Sequence, residues 1–372
     1  GMTSHAAVVA RGMGKCCVAG CESAIVDERA KTMTIKNEVF KEGDYISLDG
    51  STGSVYKGII PTVEANISGN FEKLMEWADE FRRLGIRTNA DTPADAAEAI
   101  GFGAEGIGLC RTEHMFFEES RIFSVRKMII SDSLAQREKA LAEILPVQKE
   151  DFKGLFKVMG IRPVTIRLLD PPLHEFLPTE EDDIIELAEA MDVSLLQLKE
   201  KISSLHEFNP MLGHRGCRLA ISFPEIAKMQ TRAIIEAAIE VSKEENITLV
   251  PEIMVPLIGK KEELKILRDL IIATKKEMNS DLEYLVGTMV EIPRACLTAD
   301  EVAEYADFFS FGTNDLTQMT FGYSRDDAGK FLEDYKDAGI LEQDPFQTID
   351  QEGVGKLVET AVQLGRKAKD HL

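Results

Sequence analysis

The sequence predicts an α/β protein: a (β/α)8-type barrel that lacks its eighth strand, preceded by part of a swivelling α+β domain. Two observations predict the barrel. After residue 85, short apolar runs alternate with longer helical stretches, and these runs are continuously apolar rather than alternating. Continuous apolar runs are typical of parallel strands buried on both faces. Repeated strand–helix units then indicate a (β/α) barrel.

Three segments follow one another along the chain. Residues 1–60 predict a partial α+β domain, with one short helix followed by strands that turn at Gly43 and Gly53. Residues 61–84 predict a linker whose helix has apolar residues on one face. Residues 85–372 predict the barrel, with a helix at 350–369 and no eighth strand after it. The seven candidate strands are 85–89, 106–110, 164–169, 213–219, 249–255, 284–290 and 308–312.

Composition excludes several classes of function. The net charge of −21 argues against binding to nucleic acid, because phosphate backbones require basic surfaces. No apolar run reaches the length of a membrane span, so we expect no membrane association. The six cysteines show no paired framework and no zinc spacing, which favours a cytoplasmic protein. An anionic ligand would need a local cluster of arginines within this acidic chain.

His5 is the first candidate for chemistry. It follows Thr3 and Ser4, which are good helix caps, and precedes an alanine-rich run, so we expect it in the first turn of a short helix. The positive end of a helix favours a neutral imidazole and offers unpaired N–H groups to phosphate. His5 is therefore a candidate carrier of a phosphoryl group. The alternative is an ordinary histidine beside a helix cap.

The second candidate site lies at the carboxyl ends of the predicted strands, where barrels of this kind carry chemistry. Arg111 and Arg167 end the second and third strands, and Arg215 lies on the fourth. Guanidinium groups bind phosphate or carboxylate through paired N–H groups. Glu291 and Asp315 follow the sixth and seventh strands and are hard oxygen ligands that suit Mg²⁺. The alternative for these two acids is ion pairing with the same arginines.

These segments resemble the enzymes that use phosphoenolpyruvate (PEP), a family that includes pyruvate phosphate dikinase, PEP synthase and enzyme I of the sugar phosphotransferase system. The matching motifs are GMTSHAAVVARG, GLCRTEHMF, RLLDPP, GTMVEIPRA and GTNDLTQ. The resemblance implies that His5 is the phosphorylated histidine. It also implies that Arg111 and Arg167 bind the phosphate of the substrate, and that Glu291 and Asp315 are Mg²⁺ ligands. The substrate-carboxylate contacts that it implies are Gly312, Thr313 and Asn314, with Ser310 nearby.

The resemblance also implies a reaction. A phosphoryl group passes from ATP through the histidine to pyruvate and gives PEP, with AMP and diphosphate as the other products. ATP and phosphate would bind a further N-terminal domain, and a cysteine on an eighth strand would act as general acid and base. Family members are commonly homodimers. We therefore expect the chain to correspond to a piece of the enzyme, shortened at both ends.

Three alternatives remain at this point. PEP synthase and enzyme I share the barrel site, although residues 121–128 and 320–327 look more like the dikinase. A Mg²⁺-dependent lyase would use the same barrel without a phosphohistidine. A non-catalytic dimerisation or binding module would catalyse neither phosphoryl transfer nor a lyase reaction.

We predict that the chain by itself is inactive in the full reaction, because a missing general acid or base typically costs about 10²–10⁴ in rate. The measurement is synthesis of PEP from ATP, phosphate and pyruvate by the purified chain. Detectable synthesis that depends on ATP, phosphate and pyruvate would contradict the prediction.

Overall fold

In the computed structural model the described residues are Ala10, 16–19, Cys21, 23–27, 30–50, 52–61 and 69–372. His5 and its predicted helix lie outside them. The chain divides into two compact units, Gly1–Leu84 and Gly85–Leu372. The finer division at residue 60 stays a prediction.

Among its described residues, the first unit has five short antiparallel strands in two sheets. Their bounds are β1 (Ala24–Asp27), β2 (Thr32–Ile35), β3 (Glu38–Lys41), β4 (Ile46–Asp49) and β5 (Ser54–Lys57). Strands β1, β2 and β3 form a meander, and β4 pairs with β5 in a hairpin. Turns follow β3 and β4 at Gly43 and Gly53, whose φ angles of +93° and +71° favour glycine. Helix α1 (Asn70–Phe81) follows in the same unit.

The second unit is built on a sheet of six parallel strands. Their bounds are β6 (Arg87–Asn89), β7 (Gly106–Arg111), β8 (Val164–Arg167), β9 (Glu252–Val255), β10 (Leu285–Val290) and β11 (Phe309–Phe311). Each strand pairs with its neighbours in the chain, in the order β11-β10-β9-β8-β7-β6. Sequential parallel strands joined by helices are the arrangement of a (β/α) barrel. The predicted fold class is therefore confirmed.

Helices connect these strands. Their bounds are α2 (Pro93–Gly101), α3 (Glu119–Ile130), α4 (Leu134–Met159), α5 (Glu181–Ala190), α6 (Leu195–Leu205), α7 (Gly216–Ser222), α8 (Pro224–Glu244), α9 (Lys261–Glu277), α10 (Pro293–Leu297), α11 (Ala299–Ala303), α12 (Thr313–Phe321), α13 (Leu332–Asp337) and α14 (Val354–Ala368). The longest, α4, begins at a capping box in which Ser133 and Gln136 exchange hydrogen bonds with each other's backbone N–H. In the part of the chain that the structure describes, no helix is both long and apolar enough to cross a membrane.

The predicted fourth strand, 213–219, is wrong. This segment instead leads into helix α7, and Arg215 is the residue directly before that helix. Gly216 has a left-handed φ of +55°, which turns the chain out of an extended conformation. Cys217 and Ala220 are both buried and are three residues apart, which is the spacing of a helical face. The apolar run is therefore one face of a short helix, and the sheet of the second unit has six described strands rather than seven.

The core of the second unit also fixes the segment that follows β8. Helix α8 is buried along one face, and Gln230 on that face is fully buried. Its side-chain Oε1 accepts a hydrogen bond of 2.8 Å from the backbone N–H of Leu169. Buried backbone groups need such partners. Gln230 thus holds the chain in place immediately before Asp170.

We predict that Gly216→Ala destabilises the second unit by about 2–5 kcal/mol. A Cβ there would lie 2.8 Å from Cβ of Leu257 and 3.1 Å from Oδ1 of Asp170. The left-handed backbone contributes about 1–2 kcal/mol, and the overpacking about 1–3 kcal/mol. Chemical denaturation measures the change in the free energy of unfolding.

Gly103→Ala is the matched control, because Gly103 has a φ of +91° but nothing within 4 Å of the added Cβ. It should cost only the backbone term, about 1–2 kcal/mol. Equal losses in the two variants would show that packing against Leu257 is unimportant.

Candidate active site at the carboxyl ends of the strands

The predicted site residues lie at one edge of the parallel sheet. Arg111 is the last residue of β7, and Arg167 is the last residue of β8. The two are register partners on adjacent strands. Glu291 directly follows β10, and Gly312 directly follows β11. Because the strands are parallel, their carboxyl ends bring these four positions to the same edge.

A buried network of arginines and carboxylates occupies this edge. Arg167 donates to Glu113, and its Nη1 lies 3.0 Å from Oδ2 of Asp170. Arg215 places Nη2 3.1 Å from the same oxygen of Asp170 and 2.9 Å from Oδ2 of Asp315. Each of these five side chains is no more than 12% exposed. Asp170 therefore joins the two arginines, and Arg215 joins Asp170 to Asp315.

The electrostatics of the network favour the charged form of the arginines and disfavour the charged form of Glu291. Burial raises the pKa of Glu291 well above its ordinary value, and the negative charges of Asp170 and Asp315 add to this effect. Burial by itself lowers the pKa of Arg167, but the neighbouring carboxylates outweigh it and raise the pKa. The same balance raises the pKa of Arg215. Excess negative charge thus remains around Glu291.

Backbone groups hold Glu291 from two sides. The N–H of Leu257 donates to Oε1 of Glu291 over 2.7 Å, and Leu257 has an unusual left-handed φ of +65°. On the other side, a Cβ at Gly312 would lie 2.5 Å from Oε2 of Glu291. Only glycine allows the backbone at position 312 to approach the side chain of Glu291 this closely. Glu291 is itself 1% exposed.

Three further predicted residues lie around the start of helix α12. Ser310 is on β11 and pairs in register with Met289 on β10. Thr313 and Asn314 form the exposed first turn of the helix, where backbone N–H groups are available to anions. The side-chain oxygen of Asn314 accepts a hydrogen bond of 2.9 Å from Arg325. The helix thus presents N–H groups beside Asp315, which lies in the same turn.

The position of Arg111 depends on Asp91, which comes shortly after β6. One oxygen of Asp91 accepts the backbone N–H of Arg111 over 2.6 Å, and the other lies 2.6 Å from Nδ1 of His114. The hydrogen bond to Asp91 raises the pKa of His114, against the opposing effect of burial. Asp91 therefore connects the end of β7 to an imidazole that favours its charged form.

Asp170 and Glu113 belong to this network, and the sequence analysis did not single them out. Both lie in the quoted motifs, Asp170 three residues after Arg167 and Glu113 two residues after Arg111. Their closeness in sequence to an arginine at a strand end could have identified both acids as its possible partners. Both carboxylates are buried, and Oε2 of Glu113 and Nε of Arg167 have no hydrogen-bond partner among the described residues. Unpaired buried polar atoms of this kind are typical of sites that bind ligands or water.

An open cleft of 1090 Å³ borders the network and is lined by Asp170, Arg215, Asn314 and Asp315 among others. Clefts of this size accommodate small-molecule ligands. The described residues contain no group of three or more histidines, cysteines or acids arranged to hold a metal ion. Two carboxylates can suffice for Mg²⁺, which takes water and substrate oxygens for its other positions. The crowded acids Glu291 and Asp315 therefore fit a divalent cation.

The buried thiols fit no acid–base role. Cys110, Cys217 and Cys296 are free and buried. Burial raises the pKa of all three, that of Cys296 to about 11. A thiol with a raised pKa stays protonated and unreactive at neutral pH.

Comparison with known proteins gives the family. Residues 65–369 match the family model of the PEP-utilising enzyme PEP-binding domain, and residues 1–53 match that of the PEP-utilising enzyme mobile domain. The chain is 62% identical to the pyruvate, phosphate dikinase of Clostridium symbiosum, over 100% of this chain and 43% of that protein.

Two further relatives agree. The pyruvate, phosphate dikinase of Rhizobium meliloti (strain 1021) is 56% identical over 100% of this chain and 42% of its own length. That of Giardia intestinalis is 54% identical over 99% of this chain and 42% of its own length. The chain thus spans about two fifths of the length of these curated relatives. With both of its regions matched, the chain belongs to the family of PEP-utilising enzymes.

Proposed function

We propose that the chain is the part of a pyruvate phosphate dikinase that binds PEP and pyruvate and carries the phosphohistidine. One observation carries this proposal: Arg167 and Arg215 both pair with Asp170, and Arg215 also pairs with Asp315, whose charge acts on Glu291. Cationic groups for a phosphate and acidic groups for a divalent cation thus lie side by side. The relatives at 54–62% identity are all named pyruvate, phosphate dikinase.

The arginines are proposed to bind the transferring phosphoryl group. In the reaction, the methyl carbon of pyruvate gives a proton to a general base, and the resulting enolate oxygen bonds to phosphorus as the bond between phosphorus and a ring nitrogen of His5 breaks. Phosphoryl transfer depends mainly on positioning and charge stabilisation. Glu113 and Asp170 fix the guanidinium of Arg167, so that it is oriented before the substrate arrives. Arg111, on the adjacent strand, completes this phosphate-binding side.

Glu291 and Asp315 are the residues that would hold Mg²⁺. When bound, the cation supplies positive charge that stabilises the enolate of pyruvate. The chain's own groups bind the remaining part of the substrate: the first turn of α12, with Thr313 and Asn314, offers N–H groups to the carboxylate. Gly312 and Ser310 complete this carboxylate side. ATP and inorganic phosphate would react with His5 elsewhere in the complete enzyme.

PEP synthase is the second candidate, because it would use the same barrel site. The names of the relatives favour the dikinase. Transfer of labelled phosphate from PEP to the complete enzyme that contains this chain tests the shared chemistry. We expect acid-labile label in the wild type and none in His5→Ala. A requirement for inorganic phosphate in the complete enzyme separates dikinase from synthase.

We predict that Glu291→Gln weakens the binding of Mn²⁺, used in place of Mg²⁺, by at least about tenfold. The substitution keeps the shape of the side chain and removes its charge, and a charge-assisted contact contributes about 1.5–3 kcal/mol. Isothermal titration calorimetry on the whole chain measures the affinity.

Asp326→Asn is the control, because Asp326 lines the same cleft, is exposed and has no described ion pair. It should change the Mn²⁺ affinity by less than about threefold, as expected for a charge screened by solvent. Unchanged Mn²⁺ binding in Glu291→Gln would refute the assignment of this residue as a ligand.

We predict that Glu113→Gln weakens PEP binding by about 10- to 100-fold but leaves oxalate binding nearly unchanged. Glu113 acts through Arg167, on the phosphate side, and losing a charged hydrogen bond costs about 1.5–3 kcal/mol. Oxalate resembles the enolate of pyruvate and carries no phosphate. Calorimetry with both ligands in the presence of Mn²⁺ makes the comparison.

Glu118→Gln is the matched control, because Glu118 pairs with Arg121 at 3.2 Å and is 56% exposed. It should leave both affinities unchanged. An equal loss of PEP and oxalate binding in Glu113→Gln would indicate general damage to the site instead of positioning of Arg167.

A further inference from the structure

Arg215 lies where a cation bound by Asp315 would be expected. A single nitrogen, Nη2, contacts Oδ2 of Asp315 at 2.9 Å and Oδ2 of Asp170 at 3.1 Å, and Nε lies 3.3 Å from the other oxygen of Asp170. The residue is 8% exposed, so water screens these contacts little. The guanidinium therefore supplies positive charge to two acids at once.

The charges around Arg215 indicate that it competes with a divalent ion for Asp315. Asp170, Glu291 and Asp315 bring three carboxylates together, and the guanidinium groups near them are those of Arg167 and Arg215. Arg167 is already held between Glu113 and Asp170. Arg215 is thus the cation on the oxygen of Asp315 that a divalent ion would also bind. Two cations cannot share that oxygen without strong repulsion.

The backbone on either side of Arg215 allows its side chain to rotate toward the cleft. Arg215 comes directly before α7, and the anchor of this segment is a backbone hydrogen bond of 2.8 Å from Gly216 to the carbonyl of Asp170. Arg215 is one of the residues that line the open cleft. A rotation of the side chain therefore moves the charge from the acids into the ligand space, while the backbone stays in place.

We propose that Arg215 is an internal cation that neutralises Asp315 when no divalent ion is bound, and that the metal must displace it. This inference rests on the proposed function, because it takes Asp315 as a metal ligand. Once displaced, the guanidinium remains in the cleft and faces the anionic substrate. Arg215 therefore lowers the affinity for the metal and couples metal binding to the release of a substrate-binding group.

The test measures the affinity of the whole 372-residue chain for Mn²⁺. Calorimetry and the electron paramagnetic resonance signal of free Mn²⁺ provide two independent readouts. Arg215→Met removes the charge while keeping an apolar stem. We expect it to bind Mn²⁺ at least about tenfold more tightly than the wild type, since a nearby positive charge is lost. Arg215→Lys keeps a positive charge on a shorter side chain, so it should bind Mn²⁺ less tightly than Arg215→Met does.

Arg294→Met is the matched control. Arg294 lines the same cleft but is exposed, and it donates to the carbonyl of Gly259 at 2.6 Å. It should change the Mn²⁺ affinity by less than about threefold, because its charge is screened. An equal tightening in Arg294→Met and Arg215→Met would overturn the inference in favour of a general charge effect.

The outcomes separate the two proposals. If the wild type binds Mn²⁺ and Arg215→Met binds it equally or more weakly, the competition is refuted and the metal site stands. If neither protein binds Mn²⁺ while both remain folded by circular dichroism, the metal site and the inference both fail. Binding by Arg215→Met alone would support the inference in its strongest form.

Discussion

The carboxylate of Asp170 is the point on which the candidate site depends. Its Oδ2 lies within 3.1 Å of both Arg167 and Arg215, and its side chain is 7% exposed. The backbone around it is fixed as well, because Gln230 accepts the N–H of the preceding residue and Gly216 donates to the carbonyl of Asp170 itself. Without this acid, each of the two buried guanidinium groups would lose one of its carboxylate partners, and only Glu113 and Asp315 would remain paired with Arg167 and Arg215.

Such a network is costly to bury. Removing charged groups from water costs several kcal/mol for each ion, and the attraction between the partners often fails to exceed that cost. A core of apolar side chains would stabilise the fold at least as well. The network is better explained by binding, because buried and pre-oriented charges attract a ligand strongly in a site of low dielectric constant. Because the chain carries a net charge of −21, this cluster of arginines is a local exception where an anion can bind.

Much of this architecture could be predicted from the sequence. Apolar runs at Gly106, Val164 and Leu285 predicted parallel strands, and the acids and arginines after them mark the edge where the structure brings them together. The segment at 213–219 was misjudged because a short buried helix and a buried strand are both apolar. Ion pairing between these acids and arginines was one of the two predicted alternatives, and Arg215 does pair with Asp315. The choice of partners could not be predicted, since these two residues are 100 positions apart in the sequence. The role of His5 stays a prediction.

Leu257 gives the site a particular vulnerability. A leucine with a left-handed backbone stores strain, of order 1–3 kcal/mol, that only the surrounding packing maintains. Its carbonyl also accepts a contact from Cys217 over 3.2 Å, so the strained peptide is held on both sides. Relaxation of this one residue to an ordinary φ would swing its N–H away from Glu291 and leave that carboxylate free to rotate. Heat or a distant mutation could therefore disable the site through a local rearrangement, well before the barrel itself melts.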